Sequence, residues 1–294
     1  MRLDSYRRTE QRNSTRDDYC LVFMHIPKTA GTTLASALQW NYPPNRTLHI
    51  DLLGRPLEEF EIVPLQERSR LALLHGHVTY GIHRYVPRPC RYVTIVREPI
   101  PRVVSAYKYV LTRSRHELHE RVVGDGIGLE EFIETYWVDK RMSRQTRQLC
   151  DRHDGPLDRD AFEEAKRNLE GFLVVGLTER FEETFALLRR AVRLRLPFYV
   201  TRNVGQPLHV SKRAIELIRE KEQFDLELYD FARDLFAKQL GRQGSSFTLE
   251  ASIYRGIRPI SRAAGAGRVQ GFLRRLSQAR GAWHRARVNP LHKP

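Results

Sequence analysis

The sequence predicts an α/β fold in which a mostly parallel central sheet is covered by helices, and three observations carry that prediction. Short apolar, β-favouring runs alternate with stretches of helical composition along the first 190 residues. The runs are apolar throughout rather than alternating, as expected of strands buried on both faces. Most of them end in residues with chemical potential: Lys28, His75 and His77, Arg97, and Glu179. In open parallel sheets ligands bind beyond the carboxyl ends of the strands, so this placement predicts a site as well as a fold.

In chain order, residues 1–18 read as a polar arm. Tyr19 to His25 reads as a buried strand that stops at Pro27. Lys28 to Thr33 then forms a loop of small residues, and LASALQW continues as a helix. A second strand runs over Leu71–Leu74 into His75-Gly76-His77. A third runs over Tyr92–Val96 into Arg97-Glu98-Pro99, with a helix expected over Pro101–Leu111. A fourth runs over Phe172–Leu177 into Thr178-Glu179-Arg180, before the helical spacing Phe181, Phe185, Leu188. Residues 211–240 read as one long amphipathic helical region, and the Gly- and Arg-rich composition after residue 241 reads as a linker and a weakly structured tail.

The 294 residues suffice for a sizeable core, and 41% apolar with 29% charged residues is globular composition. The net charge of +15 is uneven: residues 251–294 hold ten Lys or Arg and no acid, which leaves +5 on the first 250. Within that tail Val269, Phe272, Leu273 and Leu276 follow helical spacing, which suits an anionic membrane surface or a polyanion as well as a solvated tail. No apolar run reaches the ~18 residues of a transmembrane helix, and the first eighteen residues lack a signal peptide's apolar core. Three scattered cysteines (Cys20, Cys90, Cys150) without a CxxC spacing argue against a disulfide framework or a zinc site. The expected location is therefore cytoplasmic, with peripheral membrane contact through the tail as an option.

The segment His25-Ile-Pro-Lys-Thr-Ala-Gly-Thr-Thr33 carries the strongest signal. A loop of small residues between strand and helix offers backbone N–H groups to an anion, and the helix dipole adds to their pull. Lys28 adds a charge, and Thr29, Thr32 and Thr33 add hydroxyls; an ordinary β–α turn with a solvated lysine has the same composition. The order differs from a Walker A loop, GxxxxGK[ST], because Lys28 precedes Gly31. The second segment, Val96-Arg-Glu-Pro-Ile-Pro-Arg-Val-Val-Ser-Ala-Tyr107, sets a guanidinium at a strand end and a serine eight residues on, a pair suited to a phosphate. The third, His75-Gly-His77, offers imidazoles of the right basicity to take a hydroxyl proton near neutral pH.

Together these segments resemble the sulfotransferases that use 3′-phosphoadenosine 5′-phosphosulfate (PAPS), in particular the heparan sulfate 2-O- and 6-O-sulfotransferase branch. The resemblance covers residues 19–240 and implies a P-loop-like nucleotide-binding fold of about five strands, with a sulfotransferase domain over 19–250 and a basic tail over 251–294. It implies that Lys28, Thr29, Ala30, Gly31, Thr32 and Thr33 cradle the 5′-phosphosulfate, with Lys28 stabilising the departing bridging oxygen. Arg97 and Ser105 fall on the positions that hold the 3′-phosphate. His77 falls on the general base and His75 on a supporting catalytic or substrate-binding residue. Gly176–Arg180 and Asn203 resemble later segments near the nucleotide or acceptor. PAPS is then the co-substrate, no metal is required, and the acceptor is a hydroxyl compound such as an anionic glycan or glycolipid. A P-loop-like nucleotide kinase and a nucleic-acid or polyanion-binding protein are the alternatives. The first is disfavoured by the lysine order, the second by basicity confined to a tail poor in stacking aromatics.

Overall fold

The computed structural model describes residues 18–53, 55–137, 142–150, 156–196, 199–200 and 208–266. Asn203, the arm before residue 18 and the tail segment 268–280 lie outside them.

Five strands form one fully parallel sheet: β1 (Cys20–Met24), β2 (Thr47–His49), β3 (Leu73–Gly76), β4 (Cys90–Val96) and β5 (Val174–Leu177), in the order β2-β3-β1-β4-β5. All five residues of β1 are buried, which accounts for the unbroken apolar run CLVFM in the central strand. The chain leaves β1, builds β2 and β3 on one side, then crosses to build β4 and β5 on the other. The strand order therefore reverses at β1, and the crevice beyond Met24, Gly76 and Val96 is the place where such sheets bind ligands. Gly76 itself stands at φ 144, and a Cβ there would lie 1.8 Å from the Ile50 carbonyl oxygen, so only glycine fits the end of β3.

Helix α1 (Gly31–Asn41) covers the sheet through Leu34, Ala37 and Leu38. After the short α2 (Leu65–Ser69), α3 (Pro99–Thr112) opens with proline in its first turn, where the missing N–H has no partner to lose. Helices α4 (His119–Gly124), α5 (Leu129–Thr135), α6 (Arg144–Leu149), α7 (Arg159–Glu170) and α8 (Phe181–Ala191) follow. The chain then continues through α9 (Lys212–Lys221), α10 (Gln223–Gly241) and α11 (Ser245–Ala266). Side-chain caps fix two starts: Asp158 accepts from Ala161 N at 2.8 Å on α7, and Ser211 from Ala214 N at 3.0 Å on α9. Beside the sheet core, a second apolar cluster joins α3, α5 and α9 through Val103, Tyr107, Phe132, Trp137, Leu217 and Ile218.

The structure departs from the sequence reading at three places. The helix expected over 211–240 is two helices, broken at Glu222 (φ −110, ψ 27), whose buried carboxylate pairs with Arg102 on α3. The expected linker after residue 241 and the domain edge at residue 250 fall on α11. That helix buries Phe247, Ala251 and Tyr254, stacks Tyr254 edge-on against Phe185 at 5.0 Å, and pairs Glu250 with Arg189 and Arg190. The third is β2, whose three residues carry too little pattern to be read. The cysteines, scattered in sequence, include one adjacent pair: Cys20 sits opposite Cys90 in the β1–β4 register, both as free thiols. Among the described residues no helix is long and apolar enough to cross a membrane.

Candidate functional site: an anion loop beside a histidine cluster

The β1–α1 loop runs from His25 to Ala30, and its shape comes from two left-handed residues, Lys28 at φ 70 and Ala30 at φ 65. Left-handed backbone is disfavoured for L-residues by roughly 1–2 kcal/mol each, so neighbours must impose it. Three bonds do so. The Thr29 hydroxyl donates to Ile26 O at 2.8 Å, Arg97 Nη1 donates to Lys28 O at 3.1 Å, and the Thr178 hydroxyl lies 2.9 Å from Thr29 O and 3.0 Å from Val96 O. Residues of alternating hand turn successive N–H groups toward one concavity, which then accepts an anion. The first turn of α1 adds N–H groups that no carbonyl of its own helix can reach.

Within the loop the predicted residues divide by job. Thr29 is fully buried and its hydroxyl proton is committed to Ile26, so this side chain shapes the loop and leaves the backbone to meet the ligand. Thr32 is exposed and Thr33 buried, and Thr33 N closes the first turn on Ala30 O at 3.1 Å. Gly31 has a steric reason as well: a Cβ there would lie 2.0 Å from His25 Cδ2. The imidazole of His25 packs flat on the start of α1, where only glycine leaves room.

Two cations flank the concavity. The Lys28 ammonium lies 3.9 Å from the centre of the Tyr109 ring. Burial, reinforced by Arg97 and Arg113, lowers its pKa to about 8. Arg97, at the end of β4, is held through its peptide by Gln145 and lies 3.9 Å from Glu179 at Nε. Its buried Nε has no hydrogen-bond partner, so this guanidinium retains an unfilled donor. Glu179 in turn accepts from Glu98 N at 3.2 Å and Tyr229 OH at 2.9 Å, tying the ends of β4 and β5 to α10. Ser105 sits half-buried on α3, the helix that Arg97 leads into.

On the other side of the loop four imidazoles gather. His77 Nδ1 lies 2.9 Å from the His25 carbonyl oxygen, and a carbonyl only accepts, so the proton of neutral His77 sits on Nδ1. Nε2 is then left with a free lone pair. The His77 ring lies 4.4 Å from that of His25, which in turn stacks on Phe23 at 5.7 Å. Burial holds His25 well below the usual histidine range, with His77, His75, His49 and Lys28 adding to the effect, so His25 stays neutral. His75 is 2% exposed, takes an N–H from the Gln39 side chain at Nε2 (2.9 Å), and lies 4.9 Å from the His49 ring. That places His75 beneath the site surface and His77 at it. Among the described residues no group of three or more His, Cys, Asp or Glu is arranged to hold a metal ion.

Residues 12–232 match the profile of the Sulfotransferase family. The chain belongs to that family. Among curated relatives, this sulfotransferase is 27% identical to human heparan-sulfate 6-O-sulfotransferase 1, over 76% of this chain and 67% of that one. It is 31% identical to zebrafish heparan-sulfate 6-O-sulfotransferase 2, over 78% of this chain and 60% of the relative. Chicken heparan sulfate 2-O-sulfotransferase 1 is 26% identical, over 75% and 71%. The solved structure of mouse sulfotransferase SULT7A1 complexed with PAP covers 84% of this chain at 12% identity, with a TM-score of 0.36. The enzyme is thus a PAPS-dependent sulfotransferase, and PAPS is its co-substrate. The residues present suit that nucleotide's anions: a concave run of N–H groups, a half-buried lysine, and an arginine at the end of β4.

Sequence reasoning missed three parts of this site. His25 belongs to the quoted motif, but its service as acceptor for His77 is a backbone property with no sequence signature. His49 lies on the unread β2. Gln145 and Gln148 reach the site from a helix 48 and 70 residues further along the chain than their partners Arg97 and Val78.

Proposed function

We propose that this enzyme moves the sulfuryl group of PAPS to a hydroxyl of a carbohydrate acceptor, with His77 as the general base. The observation that carries the base is the 2.9 Å contact between His77 Nδ1 and the His25 carbonyl, which leaves Nε2 unprotonated and able to take the acceptor proton. The carbohydrate rests on the relatives, which are named for the 2-O and 6-O positions of heparan sulfate.

PAPS supplies an activated sulfuryl group whose S–O bond to phosphate breaks as the acceptor oxygen forms a new one, leaving 3′-phosphoadenosine 5′-phosphate. The chain does the rest. His77 Nε2 takes the acceptor proton as the new O–S bond forms. Lys28, whose ammonium rests 3.9 Å from the Tyr109 ring, neutralises charge gathering on the oxygen that leaves. The N–H groups from Lys28 to Thr32 hold the 5′ end without reorganisation. Arg97 and Ser105 hold the 3′-phosphate, and Glu179 keeps the guanidinium oriented. His75 packs the floor of the base side. Such a division makes catalysis a matter of positioning and charge stabilisation, as in phosphoryl transfer.

The test is direct. Sulfur-labelled PAPS is incubated with the enzyme and a panel of desulfated heparan, other glycans and small alcohols, and the labelled product is identified. Label on a glycan, lost in His77→Ala, is the expected result. Label only on a small alcohol overturns the carbohydrate reading, and full turnover by His77→Ala overturns the base.

A further inference from the structure

Helix α6 joins the two halves of the site, and nothing above gives it a chemical role. Its two glutamines stand three residues apart on one face. Gln145 is fully buried and brackets one residue of the chain: its Oε1 accepts from Arg97 N and its Nε2 donates to Arg97 O, each at 2.9 Å. The side chain thereby does for Arg97 what a neighbouring strand would do, one residue past the end of β4. Gln148 is 1% exposed. Its Nε2 donates to Val78 O at 3.0 Å and lies 3.4 Å from His25 O, the carbonyl that also takes the Nδ1 proton of His77. The Gln148 backbone carbonyl accepts from Tyr80 N at 2.7 Å. The Gln148 amide oxygen is buried without a hydrogen-bond partner, so the two carbonyls it serves fix its orientation.

The helix is itself clamped from behind. Asp225 accepts from Gln145 N (3.1 Å), Thr146 N (2.8 Å) and the Thr146 hydroxyl (2.8 Å). Glu222 accepts from Ser143 N at 3.2 Å and Trp137 Nε1 at 2.6 Å. Arg102 closes the group, 2.9 Å from Glu222 and 3.3 Å from Asp225. A buried cluster of this kind has discrete geometry, so the face it presents to the site is rigid.

We propose that Gln145 and Gln148 are separate positioning residues of the transfer reaction: Gln145 sets Arg97 for the nucleotide, and Gln148 sets His77 for the acceptor proton. The assignment rests on the reading of Arg97 and His77 given above. Both glutamines are buried, and each acts through a backbone group of the loop it holds.

Methionine keeps the length and volume of glutamine and removes the amide, so Gln145→Met and Gln148→Met isolate the two pairs of hydrogen bonds. Gln145→Met should weaken binding of 3′-phosphoadenosine 5′-phosphate and raise KM for PAPS by about tenfold, with kcat at saturation retained. Gln148→Met should leave nucleotide affinity alone and lower kcat by about tenfold or more, since small misplacements of a reacting group are costly. Thr146→Val slackens the clamp with both amides in place, and should lower kcat and nucleotide affinity together even where a methionine variant fails to fold. Equal loss of both quantities in both methionine variants, loss of neither, or an unaffected Thr146→Val enzyme overturns the proposal. His77→Ala and Arg97→Ala run alongside: if these leave kcat and affinity intact, the underlying reading falls, and if they behave as expected while the glutamines show no split, only the positioning role falls.

Discussion

The nucleotide side and the base side of this site are built from the same material and reach opposite electrostatic ends. Both lie at the carboxyl ends of β1, β3 and β4, and both hold side chains that burial strips of water. On the nucleotide side burial lowers Lys28 only to about 8, so the lysine stays mostly charged near neutral pH. On the base side burial, with the neighbouring imidazoles and Lys28 adding to it, holds His25 well below its usual range, so it stays neutral. The same desolvation therefore leaves Lys28 cationic and His25 uncharged, because lysine starts some four units above histidine. The loop His25–Ala30 is the seam, since its first residue serves His77 and its fourth carries the cation.

The sharpest way to break this comparison is to remove one flank at a time. His77→Ala should lower kcat by about 10²–10⁴, the usual worth of a general base, and leave affinity for 3′-phosphoadenosine 5′-phosphate unchanged. Equal damage to affinity would mean the two flanks are not separate. Next in size, Arg97→Ala should weaken the same nucleotide by roughly ten- to a hundredfold in calorimetry, the cost of a charge-assisted hydrogen bond. Adenosine 5′-phosphate, which lacks the 3′-phosphate, should bind the wild-type and Arg97→Ala proteins alike. A matching loss with that ligand would move Arg97 to the 5′ end.

The seam itself can be loaded. Gly31→Ala would place a Cβ 2.0 Å from His25 Cδ2, so the half-buried ring or the helix start must shift. Overpacking of this kind costs about 1–3 kcal/mol, to be read as a fall in Tm. Because His25 carries the acceptor for His77, kcat should drop further than Tm alone explains. A variant with wild-type Tm and kcat would show that the imidazole is free to move.

What could be read from the sequence follows from how far each contact reaches. Four of the five strands were legible because buried parallel strands are apolar without interruption, and Lys28, His77 and Arg97 stood out as candidates because each stands one to four residues past a strand end. Gln145 and Gln148 look like ordinary polar residues of a short helix, and only the folded chain brings them to Arg97, Val78 and His25. The break at Glu222 was illegible for the same reason: a carboxylate in a helical pattern reads as solvent-facing until Arg102, 120 residues away, turns it inward. Helix α11 was misread because Gly and Arg composition speaks of a tail, whereas Phe247, Ala251 and Tyr254 at helical spacing pack onto α8.

The smallest expected effect is the most specific to the comparison, because it reads Lys28, whose pKa burial lowers to about 8. An anion bound beside Lys28 favours its charged form and raises its pKa above the free value of about 8. Below pH 7 the lysine is protonated in both states, and this group gives affinity no pH dependence. Above about pH 8 binding must take up a proton, so affinity for 3′-phosphoadenosine 5′-phosphate should fall, by at most tenfold per pH unit. The phosphates do not confuse the reading, since their last ionisation is complete by then (pKa about 6). Stability of the free protein should run the other way. The unfolded lysine binds its proton more tightly than the folded one, so this group's penalty shrinks as pH rises from about 8 toward its ordinary 10.5. Calorimetry at pH 8.5 in two buffers of different ionisation enthalpy reads the proton uptake directly. Lys28→Arg, charged throughout this range, should abolish the uptake and flatten the affinity. Constant affinity from pH 7 to 9.5 in the wild-type enzyme would mean that the anion does not meet Lys28, and the cationic flank would have to be assigned to Arg97 alone.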